Sequence, residues 1–183
     1  MSFYDGIEVY GASTAIITED GEKISYDSLI GAADVLKEQV KGRCLVFSVC
    51  ENSVGSVVGY LGFLRARVVP YLISEGIHQN LFNRLLDTYR PKYIWSPDHI
   101  TDALEGCTLV HRYRNYVLIK TNYCVDYTLH DDLALLLSTS GSTGSPKLVR
   151  QSYKNLEHNT NRIAEYLSIS QTDRPITTLP MSY

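Results

Sequence analysis

The sequence has no long hydrophobic run and no N-terminal targeting pattern. Its longest uninterrupted apolar segment, residues 133–137, has five residues, whereas a membrane-spanning helix needs about 20. Residues 1–5 do not combine a basic region with an apolar stretch, so a secretory signal is not predicted. These features predict a protein without a membrane span.

The sequence also lacks clusters of basic residues and lacks cysteines at metal-binding or redox spacings. Its 17 Lys and Arg and 20 Asp and Glu give a formal net charge of -3 and form no basic stripe, so no nucleic-acid partner is predicted. No spacing among the four cysteines matches a zinc or redox motif. We interpret them as reduced thiols, which favours a cytoplasmic protein; they are Cys44, Cys50, Cys107 and Cys124.

Strand-like and helix-like segments alternate along the chain. Residues 14–18 and 23–25 are strand-like, and Asp20-Gly21 between them favours a tight hairpin turn. Ser25 can cap a helix over residues 26–40, where apolar residues recur every three or four positions. Further helices are predicted from a cap at Asn52 or Ser53 and over residues 80–89 and 153–167, and further strands over residues 44–49, 68–73, 93–95, 108–110, 116–120, 133–137 and 176–179.

This alternation predicts an α/β fold with a mostly parallel sheet flanked by helices. Since 44% of the 183 residues are hydrophobic, the chain can bury a sizeable core within one domain. Pro70 lies inside a strand-like segment and cannot donate to a ladder, so we expect that strand near an edge of the sheet or irregular.

Residues 138–147 carry the chemistry, because they combine glycines, hydroxyl side chains and a lysine directly after a buried strand. Two glycines let the backbone turn sharply, consecutive N–H groups in such a turn bind anions, and the lysine adds positive charge. The spacing differs from that of the P-loop, whose lysine directly follows a glycine. The predicted phosphate-binding residues are Thr139, Ser140, Gly141, Ser142, Thr143, Gly144 and Lys147.

A flexible linker is the alternative interpretation of this segment. However, its full order of Ser or Thr, Gly, Pro and Lys is expected by chance on the order of once in a billion positions. The segment resembles the phosphate-binding signature of the AMP-forming ligases, which include acyl-CoA synthetases, peptide-synthetase adenylation domains and luciferases. The resemblance extends to residues 14–26, 52–70, 152–156 and 179–183.

The resemblance implies a reaction, its cofactors and its partners. ATP and a small carboxylic acid would give an acyl-adenylate and pyrophosphate, and a thiol of CoA or of a carrier protein's phosphopantetheine would accept the acyl group. Mg²⁺ would accompany ATP, with Thr143 as its one expected contact here, and Tyr183 would lie at the rim of the substrate pocket. Departures at Ser138, Leu148 and Tyr153, where members carry Tyr, Gly and His, indicate a divergent branch.

The same resemblance implies that residues 1–183 are the N-terminal part of the large AMP-binding domain. The adenine and magnesium motif, the C-terminal domain and the catalytic lysine would all follow Tyr183. We therefore expect this chain alone to be inactive, and we expect its last strand, without neighbours, to favour self-association. The alternative is a non-catalytic remnant that acts as a binding or regulatory module.

Overall fold

The computed structural model describes residues 3–101, 106–138 and 147–182. A short 3-10 helix, Ile7–Tyr10, precedes the regular elements. The strands are β1 (Thr14–Ile17), β2 (Lys23–Ser25), β3 (Leu45–Cys50), β4 (Val69–Ser74), β5 (Tyr93–Pro97), β6 (Thr108–Tyr113), β7 (Tyr116–Lys120), β8 (Leu133–Ser138) and β9 (Leu148–Ser152). The helices are α1 (Tyr26–Gln39), α2 (Val54–Arg65), α3 (Gln79–Tyr89), α4 (Asp98–Thr101) and α5 (Tyr153–Tyr166).

Within the described residues, seven strands form one sheet in the order β6-β7-β5-β3-β4-β8-β9, and β1 and β2 form a separate hairpin. The four central strands, β5, β3, β4 and β8, run parallel to one another. Antiparallel pairing of β7 with β5, β6 with β7 and β9 with β8 extends the sheet on both sides. The predicted α/β class and parallel centre are confirmed, and the antiparallel flanks make the whole sheet mixed.

Helices cover both faces of the sheet, because side chains of successive strand residues point to opposite faces. Trp95 and Tyr116 are fully buried in the cluster that includes apolar residues of α1 and α2. On the opposite face, Phe47 packs against Phe82 of α3 and Tyr71 of β4, with ring centroids 6.1 and 5.4 Å apart. The sheet is therefore the middle layer of three.

Serine side chains cap the N-termini of three helices, as their residue type predicts. Each hydroxyl oxygen accepts a hydrogen bond from the backbone N–H three residues later, at 3.1, 3.3 and 3.1 Å, and the caps are Ser25, Ser53 and Ser152 for α1, α2 and α5. The predicted cap of α1 is confirmed, and of the two residues predicted for α2 it is Ser53 that caps.

The prediction that Pro70 marks an edge strand is wrong. β4 lies between β3 and β8 in the interior of the sheet. The Val69 N–H donates to the Cys44 carbonyl on the β3 side, at 2.9 Å, so the nitrogen of Pro70 faces the β8 side. Pairing with β8 begins only at Tyr71, opposite Leu136. The proline therefore lies where no ladder donor is needed.

The C-terminal third differs from the sequence-based expectation at two places. No strand was predicted over residues 148–152, but they form β9 and pair with β8. Residues 176–179 were expected to form a strand, but they pair with no strand among the described residues. Ile176 and Leu179 are 85% and 72% exposed. An extended segment becomes a strand only through pairing, and β9 occupies the position beside β8.

Arg43 joins three segments at the amino ends of the parallel strands. Its guanidinium donates to the carbonyl oxygens of Arg67 at 2.5 Å, His130 at 2.5 Å, Leu133 at 2.7 Å and Leu129 at 3.4 Å. These carbonyls belong to the chain entering β4 and β8. One side chain thus fixes the relative positions of β3, β4 and β8 before each strand enters the sheet.

Candidate active site

The four parallel strands end at the same edge of the sheet. Their last residues are Cys50, Ser74, Pro97 and Ser138, and the segments that follow each of them lie along this carboxyl edge. Open α/β sheets bind ligands in the crevice outside the carboxyl ends of their strands. The carboxyl edge is therefore the candidate active site.

Both ends of the predicted phosphate-binding loop lie at this edge. Ser138, the last residue of β8, pairs with Leu148, the first residue of β9. Lys147 directly precedes Leu148 and is exposed. The other predicted phosphate-binding residues, Thr139, Ser140, Gly141, Ser142, Thr143 and Gly144, lie outside the described residues. The structure thus places Ser138 and Lys147 together at the carboxyl edge.

Ser138 also contacts the neighbouring strand β4. Burial raises the pKa of Tyr71, and a side-chain hydrogen bond with Ser138 opposes that rise. Tyr71 is only 1% exposed, so its ring is a rigid neighbour for the end of β8. This contact ties the start of the predicted loop to the buried part of the sheet.

Two glutamates directly follow the neighbouring strands β3 and β4 at this edge. Cys50 pairs with Ser74 in the parallel register of β3 and β4, so the following residues, Glu51 and Glu75, are neighbours. Burial, followed by the Glu51 carboxylate, raises the pKa of Glu75, and His99 opposes that rise. The pair gives this part of the edge a negative charge, in contrast to Lys147 at the edge of β9.

A buried hydrogen-bond network holds the backbone at the end of β3. The Tyr116 hydroxyl donates to the Val49 carbonyl at 3.1 Å and lies 2.7 Å from the Ser56 hydroxyl. The Glu51 N–H donates to the Ser56 hydroxyl at 3.0 Å and contacts the Tyr116 hydroxyl at 3.3 Å. Burial raises the pKa of Tyr116 to about 12, so its hydroxyl stays protonated near neutrality. The backbone that presents Glu51 is therefore preorganised.

A large open cavity lies between the sheet and α5. Its volume is about 1070 Å³, and its lining comes from α2, β4, β8, β9, α5 and the last described residues. Leu72, Leu135, Leu137 and Met181 supply apolar surface, whereas amide and charged side chains of α5 supply polar surface. Tyr183, the predicted rim residue, lies outside the described residues, but its neighbour Ser182 is buried.

The residues at this edge fit a polyphosphate accompanied by a cation. The Lys147 ammonium and the Ser138 hydroxyl can donate to phosphate oxygens. In the described part of the chain, no three His, Cys, Asp or Glu side chains are arranged to hold a metal ion by themselves. The predicted magnesium contact, Thr143, lies outside that part.

Sequence reasoning missed several features of this edge. β9 could have been detected from Val149, a β-branched residue within the short segment that links the loop to the Ser152 cap. The proximity of Glu51 and Glu75 depends on strand register, which no local pattern encodes. The contact between Asn52 and Met181, described below, joins residues 129 positions apart.

No helix among the described residues is long and apolar enough to cross a membrane. All four cysteines are free: Cys44 and Cys50 are buried, Cys107 is partly buried and Cys124 is exposed. Burial raises the pKa of both Cys44 and Cys50 to about 11, which makes these two thiols unreactive near neutral pH.

The chain matches one protein-family profile and several known proteins along most of its length. The sequence profile described as AMP-binding enzyme matches residues 5–183. Bacitracin synthase 2 from Bacillus licheniformis is 23% identical over 175 residues, which is 93% of this chain and 7% of the synthase. Apo MatB from Rhodopseudomonas palustris superposes with a TM-score of 0.74 at 22% identity, over 93% of this chain and 38% of MatB.

The same fold occurs in a structure that contains bound AMP. The O-succinylbenzoate coenzyme A synthetase MenE from Bacillus subtilis, in complex with AMP, superposes with a TM-score of 0.68 at 19% identity. The aligned region is 93% of this chain and 46% of that MenE chain. This chain thus spans less than half the length of each of these proteins.

Proposed function

Because the chain belongs to the AMP-binding enzyme family, we propose that it forms the front portion of an ATP-dependent ligase that adenylates a carboxylic acid. The main support for this proposal is that Ser138 and Lys147 lie together at the carboxyl edge. Both belong to the residues that match the family profile. Solved relatives with a bound nucleotide, MenE with AMP and MatB with ATP, support ATP as the co-substrate.

In the proposed reaction, a carboxylate oxygen of the acid attacks the α-phosphorus of ATP. A new oxygen–phosphorus bond forms, the bond to the bridging oxygen of the β-phosphate breaks, and pyrophosphate leaves with the electron pair. Residues 139–144 and Lys147 would hold the β- and γ-phosphates, so that positioning and charge stabilisation drive the step. Mg²⁺ bound with ATP would offset the charge that develops on the leaving group.

A thiol would then attack the acyl carbon and displace AMP. We propose CoA as the acceptor, supported by the description of MenE as a coenzyme A synthetase. A carrier-protein phosphopantetheine is the alternative, because the sequence also resembles peptide-synthetase adenylation domains and its relatives include bacitracin synthase 2 and gramicidin S synthase 2. Mass spectrometry of the products formed with CoA or with a loaded carrier protein distinguishes the two acceptors.

The loop residues should contribute directly to turnover in the complete ligase. Lys147→Ala and Thr143→Ala are each expected to slow ATP–pyrophosphate exchange by roughly tenfold to a hundredfold, because a charge-assisted phosphate contact contributes about 1.5–3 kcal/mol. Lys41→Ala serves as the matched control: this exposed lysine donates to the Glu38 carbonyl at 3.1 Å, away from the carboxyl edge. Unchanged exchange in both loop variants would refute the assigned role.

The 183-residue chain by itself should bind magnesium-ATP weakly and form no acyl-adenylate. It spans 38% of MatB, so we expect the groups that hold adenine and ribose to lie in the remaining part of such a ligase. A few exposed phosphate contacts must offset several kcal/mol of lost ligand freedom, which gives a dissociation constant no better than about 1 mM. Isothermal titration and a pyrophosphate-release assay over a panel of acids test this; micromolar binding would contradict it and favour an independent binding module.

We also propose a cytoplasmic location, supported by the four free cysteines.

Self-association is proposed on a different basis from the one that the sequence indicated, because residues 176–179 are not a strand. β9 is an edge strand whose pairing within the described residues is with β8 alone, and its Val149 is 37% exposed. Light scattering after size exclusion, compared between the native chain and Val149→Lys, tests pairing through this edge.

A further inference from the structure

The chain returns to the carboxyl edge at Met181 after a long exposed segment. From Leu167 to Pro180 every residue is exposed, and Ile176 and Leu179 are 85% and 72% exposed. Met181 then packs against the small buried cluster that contains Leu72 and Leu135, and Ser182 is only 8% exposed. These two residues thus form an anchor where β4 and β8 approach their carboxyl ends.

A side chain from a distant part of the sequence forms a hydrogen bond with this anchor. The Met181 backbone N–H donates to the Asn52 side-chain oxygen at 3.2 Å. Asn52 lies between the end of β3 and the start of α2. The bond therefore connects the segment of residues 179–182 to the same edge that carries the ends of the parallel strands.

The backbone on both sides of Asn52 is already fixed. Glu51 donates its N–H to the Ser56 hydroxyl at 3.0 Å, and Ser53 donates its N–H to the Glu51 carbonyl at 2.9 Å. The Ser53 side chain also caps α2 by accepting from the Ser56 N–H at 3.3 Å. The Asn52 side chain is thus attached to a preorganised turn, which lowers the entropic cost of its hydrogen bond to Met181.

We propose that Asn52 is a positioning residue that sets the location of residues 179–182 at the active-site edge. It acts through the Met181 backbone and does not itself contact substrate. Met181 lines the large cavity, and the next residue but one is Tyr183, the expected rim of the carboxylic-acid pocket. The functional consequence rests on the proposed ligase activity, whereas the anchor itself can be tested without any activity.

Backbone amide exchange in the 183-residue chain tests the anchor. Asn52→Leu removes the acceptor at similar size and is expected to speed exchange of the Met181 amide roughly tenfold, as loss of one hydrogen bond implies. Asn52→Asp keeps an acceptor oxygen and should leave that rate within about twofold of the native value. The matched control is Asn115→Leu, which removes another exposed amide at this edge, bonded to Glu51 at 2.9 Å, and should leave Met181 unchanged.

Three results of the exchange experiment would overturn the proposal. They are an unchanged Met181 rate in Asn52→Leu, an equal acceleration in Asn115→Leu, and a uniform acceleration that includes the buried amide of Phe47. The first means that the bond contributes nothing, and the others mean that the effect is not local to the anchor. If the Met181 amide stays protected from exchange in Asn52→Asp and loses that protection in Asn52→Leu, the result supports a role of Asn52 as hydrogen-bond acceptor.

Kinetics of the complete ligase test the functional consequence. Asn52→Leu is expected to raise the KM of the carboxylic acid roughly tenfold and to leave the KM of ATP unchanged, since the anchored segment leads directly to Tyr183, the expected rim of the carboxylic-acid pocket. Equal increases in both constants, or an unchanged KM for the acid, would overturn the positioning role. A native ligase without turnover would instead refute the proposed function, and the exchange result would still decide on the anchor.

Discussion

The Gly59→Ala variant is expected to lower the free energy of unfolding by about 3 kcal/mol, which for a chain of this size is a melting temperature lower by about 6–12 °C. A β-carbon at Gly59 would lie 2.4 Å from Nε1 and 2.5 Å from Cδ1 of the Trp95 ring. The ring cannot move away, because Trp95 is fully buried and its Nε1 donates to the Gly55 carbonyl at 3.0 Å. Differential scanning calorimetry measures the effect.

The control for this prediction is Gly31→Ala, which should change stability in the opposite direction. Gly31 lies within α1, is exposed, and has no atom within 4 Å of where its β-carbon would be. Replacing glycine by alanine in an open helical position increases stability by about 0.5–1 kcal/mol. If both variants shift the melting temperature in the same direction, the close approach of α2 to the sheet is not the reason that position 59 requires a glycine.

This close approach also affects the candidate active site. Gly55, one helical turn before Gly59, is equally close to the Tyr116 ring, with a distance of 2.3 Å from its hypothetical β-carbon to Cδ2. The Tyr116 hydroxyl belongs to the network that holds Glu51 and Ser56. The small residues of α2 therefore let the helix come close enough for its N-terminal serines to organise the end of β3.

Replacement of Arg43 should have a comparably large effect on stability. Arg43→Ala leaves four backbone carbonyls without their donor. We expect the free energy of unfolding, measured by urea denaturation, to fall by about 4 kcal/mol. Hydrogen bonds to charged groups contribute about 1.5–3 kcal/mol each and are not additive. Arg43→Lys keeps the charge, but a single ammonium cannot span carbonyls that lie in two separate segments. The lysine variant should therefore lose roughly half as much.

Arg112→Ala is the matched control, because it removes an arginine of similar size from an exposed ion pair. The Arg112 guanidinium lies 2.7 Å from the Asp98 carboxylate, and the two side chains are 52% and 42% exposed. Exposed pairs of this kind contribute at most about 1 kcal/mol. Equal losses in Arg43→Ala and Arg112→Ala, or full stability in Arg43→Lys, would contradict the role of Arg43 as a multiple donor to backbone carbonyls.

The helices α1, α2, α3 and α5 and their starting points followed from the sequence because their causes are local, whereas the short α4 was not predicted. The period of apolar residues in α1 and α3 depends on neighbours within one or two turns, and a serine that caps a helix bonds a residue three positions away. The hairpin of β1 and β2 was predicted for the same reason, whereas β6 and β7 were predicted only as separate strands. The family signature in residues 138–147 was also legible, because it is contiguous.

The sequence by itself thus determined the α/β class, the caps and the position of the predicted phosphate-binding loop after β8. The tertiary structure decided which strands are neighbours. It placed Pro70 in the interior, turned residues 148–152 into β9 and left residues 176–179 unpaired. It also brought Glu51 beside Glu75 and Asn52 beside Met181. The physical reason is that ladder register and side-chain contacts join residues as many as 129 positions apart, and no local propensity encodes such a distance.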